Sequence, residues 1–442
     1  MSLHDLQMKI ERKEAKLAVI GLGYVGLPVA CQFARVGFDV LGLEIRADRV
    51  ELINNGCSPI EGKEPGLAEL LDQVVSSGKF RATTAYQELS DRDAILIDVE
   101  TPVDENNIPH YEALRVALGT FGSVMKQGAL VIVESTIAPG TMQSIVLPLL
   151  EESTGKKLNQ DFYLGNCPER VMPGKLLQNL QTMSRVVGGM TQETADTMIA
   201  LYQHIVQAEL DPTDCVTAEL VKTVENAYRD VQIAFANEVA LICEEVGGDV
   251  WKVHDLVNKT PDRNMHLPGA GVGGHCIPKD PWLLAHGVKD KDISLRLIPT
   301  ARQINDGMPL HIAKLLRIAL TSTGCQLSNA RILVLGYAYL EETDDVRNSP
   351  SETLVEYLRE TGADIVIHDP YVPQFKGELL EKAKGCDALL FMVKHHDYQS
   401  LDLVDIRQVM RTPILVDGRG LFANKRAQTT GWLYLCLGKG IS

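Results

Sequence analysis

No CxxC pair occurs among the nine cysteines (Cys31, Cys57, Cys167, Cys215, Cys243, Cys276, Cys325, Cys386 and Cys436), and their number is odd. A disulfide framework is therefore not expected, and the chain reads as a protein of a reducing, cytoplasmic compartment. No apolar run approaches the roughly 20 residues that a membrane helix needs. The first 15 residues are polar, lack a signal-peptide core and read as a short arm. Positive charge is also scarce. The 43 Lys and Arg against 58 Asp and Glu leave a formal net charge of −15, which argues against a nucleic-acid or anionic-membrane partner. The histidines show no HxH, HExxH or Cys/His cluster spacing, so no metal is expected. The pair His395-His396 reads as loop surface. Repeats and low-complexity tracts are missing too.

What is present is enough for two or three domains, at 442 residues and an ordinary 45% hydrophobic content. Strand-like runs at 17–20, 40–43, 94–99 and 130–134 alternate with helical patterns up to about residue 190. The first of those helices, 28–36, is ended by Gly37. Such alternation means a parallel sheet covered on both faces. The pattern changes near Asp211. Thr213 or Asp214 can cap a long helix that runs to Gly247, with apolar residues at Leu220, Val224, Ala227, Val231, Ala234, Val239 and Ile242. At roughly 30 residues it would span about 45 Å, a candidate spacer and dimer surface. A second sheet pattern follows at 331–336, 364–368, 388–393 and 413–417, without a GxGxxG. The expected fold class is α/β: two Rossmann-like, doubly wound parallel-sheet domains joined by a central helical domain with one long helix. Boundaries fall at 1–210, 211–320 and 321–442.

Two segments carry chemistry. Gly21, Gly23 and Gly26, with Tyr24 and Val25 between them, follow a strand and open a helix. Gly21 permits the turn, Gly23 admits a pyrophosphate, and Gly26 lets helix pack on strand. Glu44 ends the next strand, where it can accept hydrogen bonds from a ribose, so NAD is expected over NADP. Arg46 nearby is the kind of residue that welcomes a 2′-phosphate. The second segment is Gly269-Ala-Gly271-Val-Gly273-Gly274-His275-Cys276-Ile-Pro-Lys279-Asp280. Four glycines crowd one thiol, and an aspartate follows four residues later. A dinucleotide turn and a glycine-caged cysteine together suggest an oxidation through a covalent thiol adduct.

These segments sit among others: Glu64-Pro-Gly-Leu67, Thr101-Pro102, Glu134-Ser-Thr136, Pro168-Glu169-Arg170, Glu225-Asn226-Ala-Tyr-Arg229 and Thr343-Asp-Asp-Val-Arg347. In this order they resemble the UDP-glucose/GDP-mannose dehydrogenase family over nearly the whole chain. The resemblance implies four-electron oxidation of the C6 alcohol of a UDP-sugar to a carboxylate, with two NAD per turnover. It implies that Cys276 forms a thiohemiacetal and then a thioester. Lys222 would stabilise the oxyanion, with Asn226 one helical turn away on the same face. Asp280 would position water, Glu169 would serve thioester hydrolysis, and Thr136 would hold an ordered water. Thr101, Pro102 and Thr136 join the glycine turn as cofactor residues. Glu169, Arg170, Lys222, Asn226, Gly273 and Gly274 are candidate sugar-nucleotide residues. Arg347 and Arg263 are candidates for the diphosphate, and by the resemblance Arg263 would reach a neighbouring subunit's site, as the family's arginine in this loop does. The central domain would dimerise and carry the cysteine loop, the C-terminal domain would bind the UDP-sugar, and the site would lie in the cleft between the sheet domains. A homodimer or dimer-based oligomer is expected.

Several alternatives stay open. Glu169 can pair with Arg170, and His275 need not be a base. The family usually has Phe-Lys or Tyr-Lys ahead of its TDDxR segment. Here the pair is Tyr339-Leu340, so the lysine's expected contact to the nucleotide sugar is missing, and another cation can take its place. The segments His275-Cys-Ile-Pro278 and Asp280-Pro-Trp282 resemble the branch acting on UDP-N-acetylhexosamines, UDP-N-acetylmannosamine first. Lys279 also matches the UDP-glucose branch, which is the alternative. A two-electron 3-hydroxyacid-type dehydrogenase would also explain Lys222-x-x-x-Asn226, but not the second sheet pattern. A catalytically silent sugar-nucleotide binder sits poorly with an intact Cys276, Lys222 and Asp280.

Overall fold

Apolar runs closed by glycine or acidic residues become the strands of two separate sheets. The structure is a computed structural model and describes residues 1–60, 62, 64–171, 174–425 and 428–440. The chain divides into two units, Met1–Glu225 with Trp282–Ile293, and Asn226–Pro281 with Ser294–Ser442.

The first unit holds β1 (Lys16–Ile20), β2 (Asp39–Leu43), β3 (Phe80–Thr83), β4 (Ala94–Ile97), β5 (Ala129–Val133), β6 (Phe162–Asn166), β7 (Arg185–Gly189) and β8 (Leu210–Asp214). Their order is β3-β2-β1-β4-β5-β6-β7-β8, parallel except where β7 runs against β6. Side chains of a strand alternate between faces. Leu17 and Val19 therefore enter one core with Phe33 of helix Gly26–Arg35, while Ala18 and Ile20 enter the other with Leu118 and Phe121 of helix Glu112–Gly122. The chain winds outward from β1 through β2 to β3, then returns to β4 on the other side of β1. That reversal opens a crevice at the carboxyl ends of β1 and β4, where ligands bind in such sheets. β8 reads Leu-Asp-Pro-Thr-Asp and lies at the edge, the place a strand tolerates proline.

The first residues are not an arm. Leu3–Glu11 is a helix with a reciprocal cap: Ser2 Oγ accepts from Asp5 N and Asp5 Oδ2 accepts from Ser2 N, both at 3.1 Å. Leu6 and Ile10, one turn apart, are fully buried in the same core as Phe33 and Tyr202. Four apolar residues, Leu3, Leu6, Met8 and Ile10, in a short charged segment were too few to mark this helix in sequence. Leu6→Ala should destabilise the protein by about 2–5 kcal/mol, read as a lower urea midpoint. An unchanged midpoint would mean the helix is not part of the folded core.

The long helix runs Cys215–Val246. Asp214, not Thr213, caps it: its Oδ1 accepts from Thr217 N at 2.9 Å and its Oδ2 from Thr217 Oγ1 at 2.7 Å. Of the apolar residues along it, Ala218, Ala227, Ala234, Ala236 and Ala240 are among those buried, whereas Leu220, Val224, Tyr228, Phe235, Ile242 and Val246 are exposed.

The second unit carries β9 (Arg331–Leu335), β10 (Asp364–His368), β11 (Ala388–Phe391), β12 (Ile414–Asp417) and β13 (Leu433–Cys436), in the order β10-β9-β11-β12-β13 and all parallel. Ile332 and Val334 pack with Leu316 and Leu320 of helix Leu297–Ser322, and Leu333 and Leu335 pack on the opposite face with Leu403 and Ile406. A buried polar network joins this helix to the long one. Asp230 Oδ1 accepts from Arg302 Nη1 and Asn305 Nδ2, each at 2.7 Å, and Asn237 Nδ2 donates to Asn305 Oδ1 at 2.8 Å. Asn237 Oδ1 then accepts from Gly269 N at 2.9 Å, which fixes the start of the cysteine loop. His395 is not loop surface but fully buried. Its Nδ1 accepts from Glu342 N at 3.1 Å, so its Nε2 carries the proton toward Asp369 Oδ2 at 3.2 Å.

Candidate active site

In the first unit the glycine turn lies against the end of β4. Gly21 has φ +95°, and a Cβ there would stand 2.4 Å from Asp98 O. A Cβ on Gly26 would meet Gly21 O at 2.0 Å and Asp98 Cβ at 2.9 Å. One on Gly23 would meet no atom within 4 Å. The helix that starts at Gly26 has no side-chain cap at Val25, so its first amides can face an anion. These features fit a dinucleotide pyrophosphate. Tyr24, within the turn, bonds through its hydroxyl to Glu64, which also accepts from Gly174 N at 2.6 Å.

Glu44 follows β2 and is largely buried. Its Oε1 accepts from Arg46 N at 3.1 Å, while its Oε2 pairs with Arg49 Nε at 3.2 Å. Arg49 also donates to Leu22 O in the glycine turn at 2.9 Å. The Arg46 side chain is exposed and pairs with Asp48 at 2.6 Å. Arg49 is thus the cation behind the acid, one helical turn beyond the residue noticed in sequence. Thr101 and Thr136 are brought together by a bond from Thr101 Oγ1 to Thr136 O at 2.6 Å, and Pro102 O accepts from His110 N at 2.8 Å.

Glu169 does not pair with the Arg170 side chain. Its Oε2 pairs with Arg185, and its Oε1 accepts from the Arg170 backbone N at 2.6 Å. The Arg170 guanidinium instead bonds Glu225 at 2.6 Å and Ser184 O at 2.8 Å. Lys222 is half-buried on the long helix. Glu219, one turn before it, accepts from Gly140 N and Met142 N at 2.7 Å each, and burial pushes its carboxyl up to about 7.

In the second unit Cys276 is exposed and Asp280, four residues on, is fully buried. Asp280 opens helix Asp280–His286, and its N donates to Cys276 O at 2.8 Å. Its Oδ2 accepts from Asn226 Nδ2 at 2.5 Å, and its Oδ1 pairs with Lys279 Nζ at 3.1 Å. The loop glycines meet protein. A Cβ on Gly273 would stand 2.6 Å from Asn348 O, and one on Gly274 2.7 Å from Tyr339 Cε2. Gly274 N donates to Arg347 O at 2.9 Å, so the cysteine loop and the Thr343–Arg347 motif form one backbone assembly. Burial, then Lys279 and Arg347, lower the His275 imidazole to about 4. His275 is therefore neutral at pH 7.

Arg347 is half-exposed and holds Asp345 through two nitrogens, at 2.6 Å for Nη2. Arg263 is exposed and donates to Asp262 O at 3.3 Å. A small hollow beside the cysteine loop is lined by Gly271, Tyr339, Pro350, Val393 and Arg419. Arg419 was missed in sequence. It follows the end of β12 and pairs with Glu341 at 2.7 Å.

Family models match this chain in order. The NAD binding domain of the UDP-glucose/GDP-mannose dehydrogenase family matches residues 15–206, its central domain 216–307 and its UDP binding domain 333–424. UDP-N-acetyl-D-mannosamine dehydrogenase of Pyrococcus horikoshii is 39% identical over 425 residues, covering 96% of this chain and 99% of that protein. NDP-N-acetyl-D-galactosaminuronic acid dehydrogenase of Ralstonia nicotianae is 34% identical, over 93% of this chain and 97% of that protein. A solved structure described as the UDP-D-ManNAc dehydrogenase of Pyrococcus horikoshii is similar with a TM-score of 0.91, over 96% of this chain and 99% of that one.

Proposed function

The chain belongs to the UDP-glucose/GDP-mannose dehydrogenase family and is an NAD-dependent UDP-sugar dehydrogenase, and from that premise we propose that it oxidises UDP-N-acetylmannosamine to the uronate. The sugar assignment rests on the full-length similarity to the Pyrococcus enzyme of that name. The chemistry rests on one local observation, the exposed Cys276 whose carbonyl is bonded by the buried Asp280.

NAD, when bound on the turn Gly21–Gly26 with its ribose on Glu44, supplies the hydride acceptor. Tyr24, Val25, Thr101, Pro102 and Thr136 complete that site, with Arg46 at its rim. In the first oxidation the C6 hydroxyl gives its proton to Asp280 through the ordered water, and Lys222 balances the charge of the alkoxide. The Cys276 thiolate then adds to the aldehyde carbon. This adduct makes the aldehyde carbon tetrahedral, and the collapse of its oxyanion can expel the remaining C6 hydrogen as hydride, which a bare aldehyde carbonyl does not do. Lys222 and Asn226 stabilise the tetrahedral oxygen, and the resulting acyl group is a thioester on Cys276. Asp280, held by Asn226 and Lys279, orients water, as does Thr136. Glu169 takes the proton of the water that attacks the thioester. His275, neutral at pH 7, contributes no charge.

Gly273, Gly274, Arg170 and Arg347 contact the sugar nucleotide, and Arg263 serves the diphosphate from a neighbouring subunit. Arg419, on the hollow beside Tyr339, takes the place of the lysine that Leu340 replaces. We divide the work as NAD binding over 1–210, dimerisation and the cysteine loop over 211–320, and UDP-sugar binding over 321–442. Tyr228, Phe235, Ile242 and Val246 share one face of the long helix and are all exposed. An apolar stripe of this kind suits a second copy of the chain. The cysteine usage suits the cytoplasm.

Initial rates across UDP-N-acetylmannosamine, UDP-N-acetylglucosamine, UDP-N-acetylgalactosamine and UDP-glucose test the assignment. We expect kcat/KM for UDP-N-acetylmannosamine to exceed that for UDP-glucose by at least roughly tenfold. A higher kcat/KM for UDP-glucose would move the chain to the other branch.

A further inference from the structure

A buried group of charges stands behind Glu169, and the steps above do not use it. Arg185, at the start of β7, is 1% exposed. Its Nη1 donates to Glu134 Oε1 at 3.1 Å, and its Nη2 pairs with Glu169 Oε2. Its guanidinium carbon lies 4.9 Å from the centre of the Tyr202 ring. The Tyr202 hydroxyl donates to the same Glu134 Oε1 at 2.7 Å. On the far side of Glu134 is Asp98, whose Oδ2 is closed off from solvent. Burial first, then the Glu134 charge, raise the Asp98 carboxyl well above the usual carboxylate range, and burial raises Glu134 as well. The Asp98 and Glu134 carboxyl groups are in hydrogen-bond contact with each other. Three carboxyl groups and one guanidinium thus meet in a buried interior.

Fold stability gives little reason for such a group. Buried ion pairs seldom repay their desolvation, and apolar residues of similar size often serve as well. Orientation gives a better one. A guanidinium is a rigid fork that can bind two carboxylates at set angles, which a lysine ammonium does not do. Glu169 is gripped at both oxygens, by Arg185 at Oε2 and by the Arg170 amide at Oε1.

We propose that Arg185 is a positioning residue for Glu169, its fork anchored on Glu134 and Tyr202 so that the Glu169 carboxylate is aimed at the hydrolytic water. This rests on the role given to Glu169 above. In the step concerned, the water oxygen bonds to the acyl carbon and one water proton passes to Glu169. The C–S bond breaks with its electron pair on sulfur, leaving the acid and the Cys276 thiolate. Arg185 touches none of the reacting atoms, and its effect is confined to this step. Both hydride transfers precede it.

Stopped-flow measurement of NADH with UDP-N-acetylmannosamine tests this on Glu169→Gln, Arg185→Lys and the double variant. For both single variants the account expects a burst approaching two NADH per Cys276, then a steady state slowed on the order of a hundredfold. KM for NAD should stay within about twofold of native. The double variant should be no slower than the slower single one, since both act on one step. A native steady-state rate for Arg185→Lys, with Glu169→Gln stalled, overturns the inference alone. A native rate for Glu169→Gln overturns the role of Glu169 and the inference with it. Loss of the burst in Arg185→Lys also overturns it, because the side chain would then serve the whole unit. If Arg185→Lys does not fold, Tyr202→Phe carries the test by removing only one donor to Glu134. It should keep the full burst and slow hydrolysis roughly tenfold, and a native rate contradicts the inference.

Discussion

Cys276→Ser should stop turnover and leave cofactor binding intact. The substituted residue is exposed and sits in a loop whose shape is set by backbone: Gly274 N to Arg347 O, Asp280 N to Cys276 O, and the Asn237 anchor at Gly269. These contacts are made by backbone atoms and the Asn237 side chain, and serine differs from cysteine by a single atom, so the loop should keep its shape. Its chemistry does not fit. A serine hydroxyl has little anionic character at pH 7, so addition to the aldehyde slows sharply, and any ester formed hydrolyses less readily than a thioester. We expect kcat to fall at least about a thousandfold, with at most one NADH per active site. The NAD dissociation constant, followed by titration calorimetry, should stay within about twofold. Turnover within tenfold of native would contradict the thioester route.

The second large effect separates two glycines of one turn. Gly26→Ala places a Cβ 2.0 Å from Gly21 O and 2.9 Å from Asp98 Cβ, so the helix must move off β1. Overpacking of this kind costs about 1–3 kcal/mol, and the shift misplaces the amides that meet the pyrophosphate. Gly23→Ala places its Cβ in open space. That variant should unfold at the native urea midpoint and still bind NAD roughly a hundredfold more weakly, because its methyl group occupies the approach of the pyrophosphate. Native NAD affinity in Gly23→Ala would show that the cofactor does not lie on this turn. A native midpoint in Gly26→Ala would show that the helix has slack which the packing denies.

Several features were legible because they are local. The runs that became β1, β2, β4 and β5 are apolar, short and bounded by turn residues, and the spacing of Gly21, Gly23 and Gly26 marks the strand-turn-helix junction. The long helix declared itself by its length without Gly or Pro, and its cap narrowed from two residues to Asp214 only when the side-chain bonds to Thr217 were seen. The expected family and NAD dependence also hold. Other features had no local signal. β8 is polar and contains Pro212, as an edge strand can. The N-terminal helix buries only Leu6 and Ile10.

Charge pairing was the least legible layer. Arg170 follows Glu169 in sequence, yet adjacent side chains leave the backbone in different directions, and the partner of Glu169 is Arg185 at the start of β7. Arg49 stands behind Glu44 because one turn of helix brings it there. Arg419 reaches Glu341 across 78 positions of sequence. Such pairs are products of topology. The sequence supplies the acid, and the sheet order supplies the base.

The most direct measurement is the amount of NADH formed per UDP-N-acetylmannosamine consumed, with the product identified. Two NADH per sugar and a uronate product are what the account predicts, since the Cys276 adduct exists to make the second hydride available. One NADH per sugar, with free aldehyde or ketone, would contradict it and leave a simple two-electron dehydrogenase in its place.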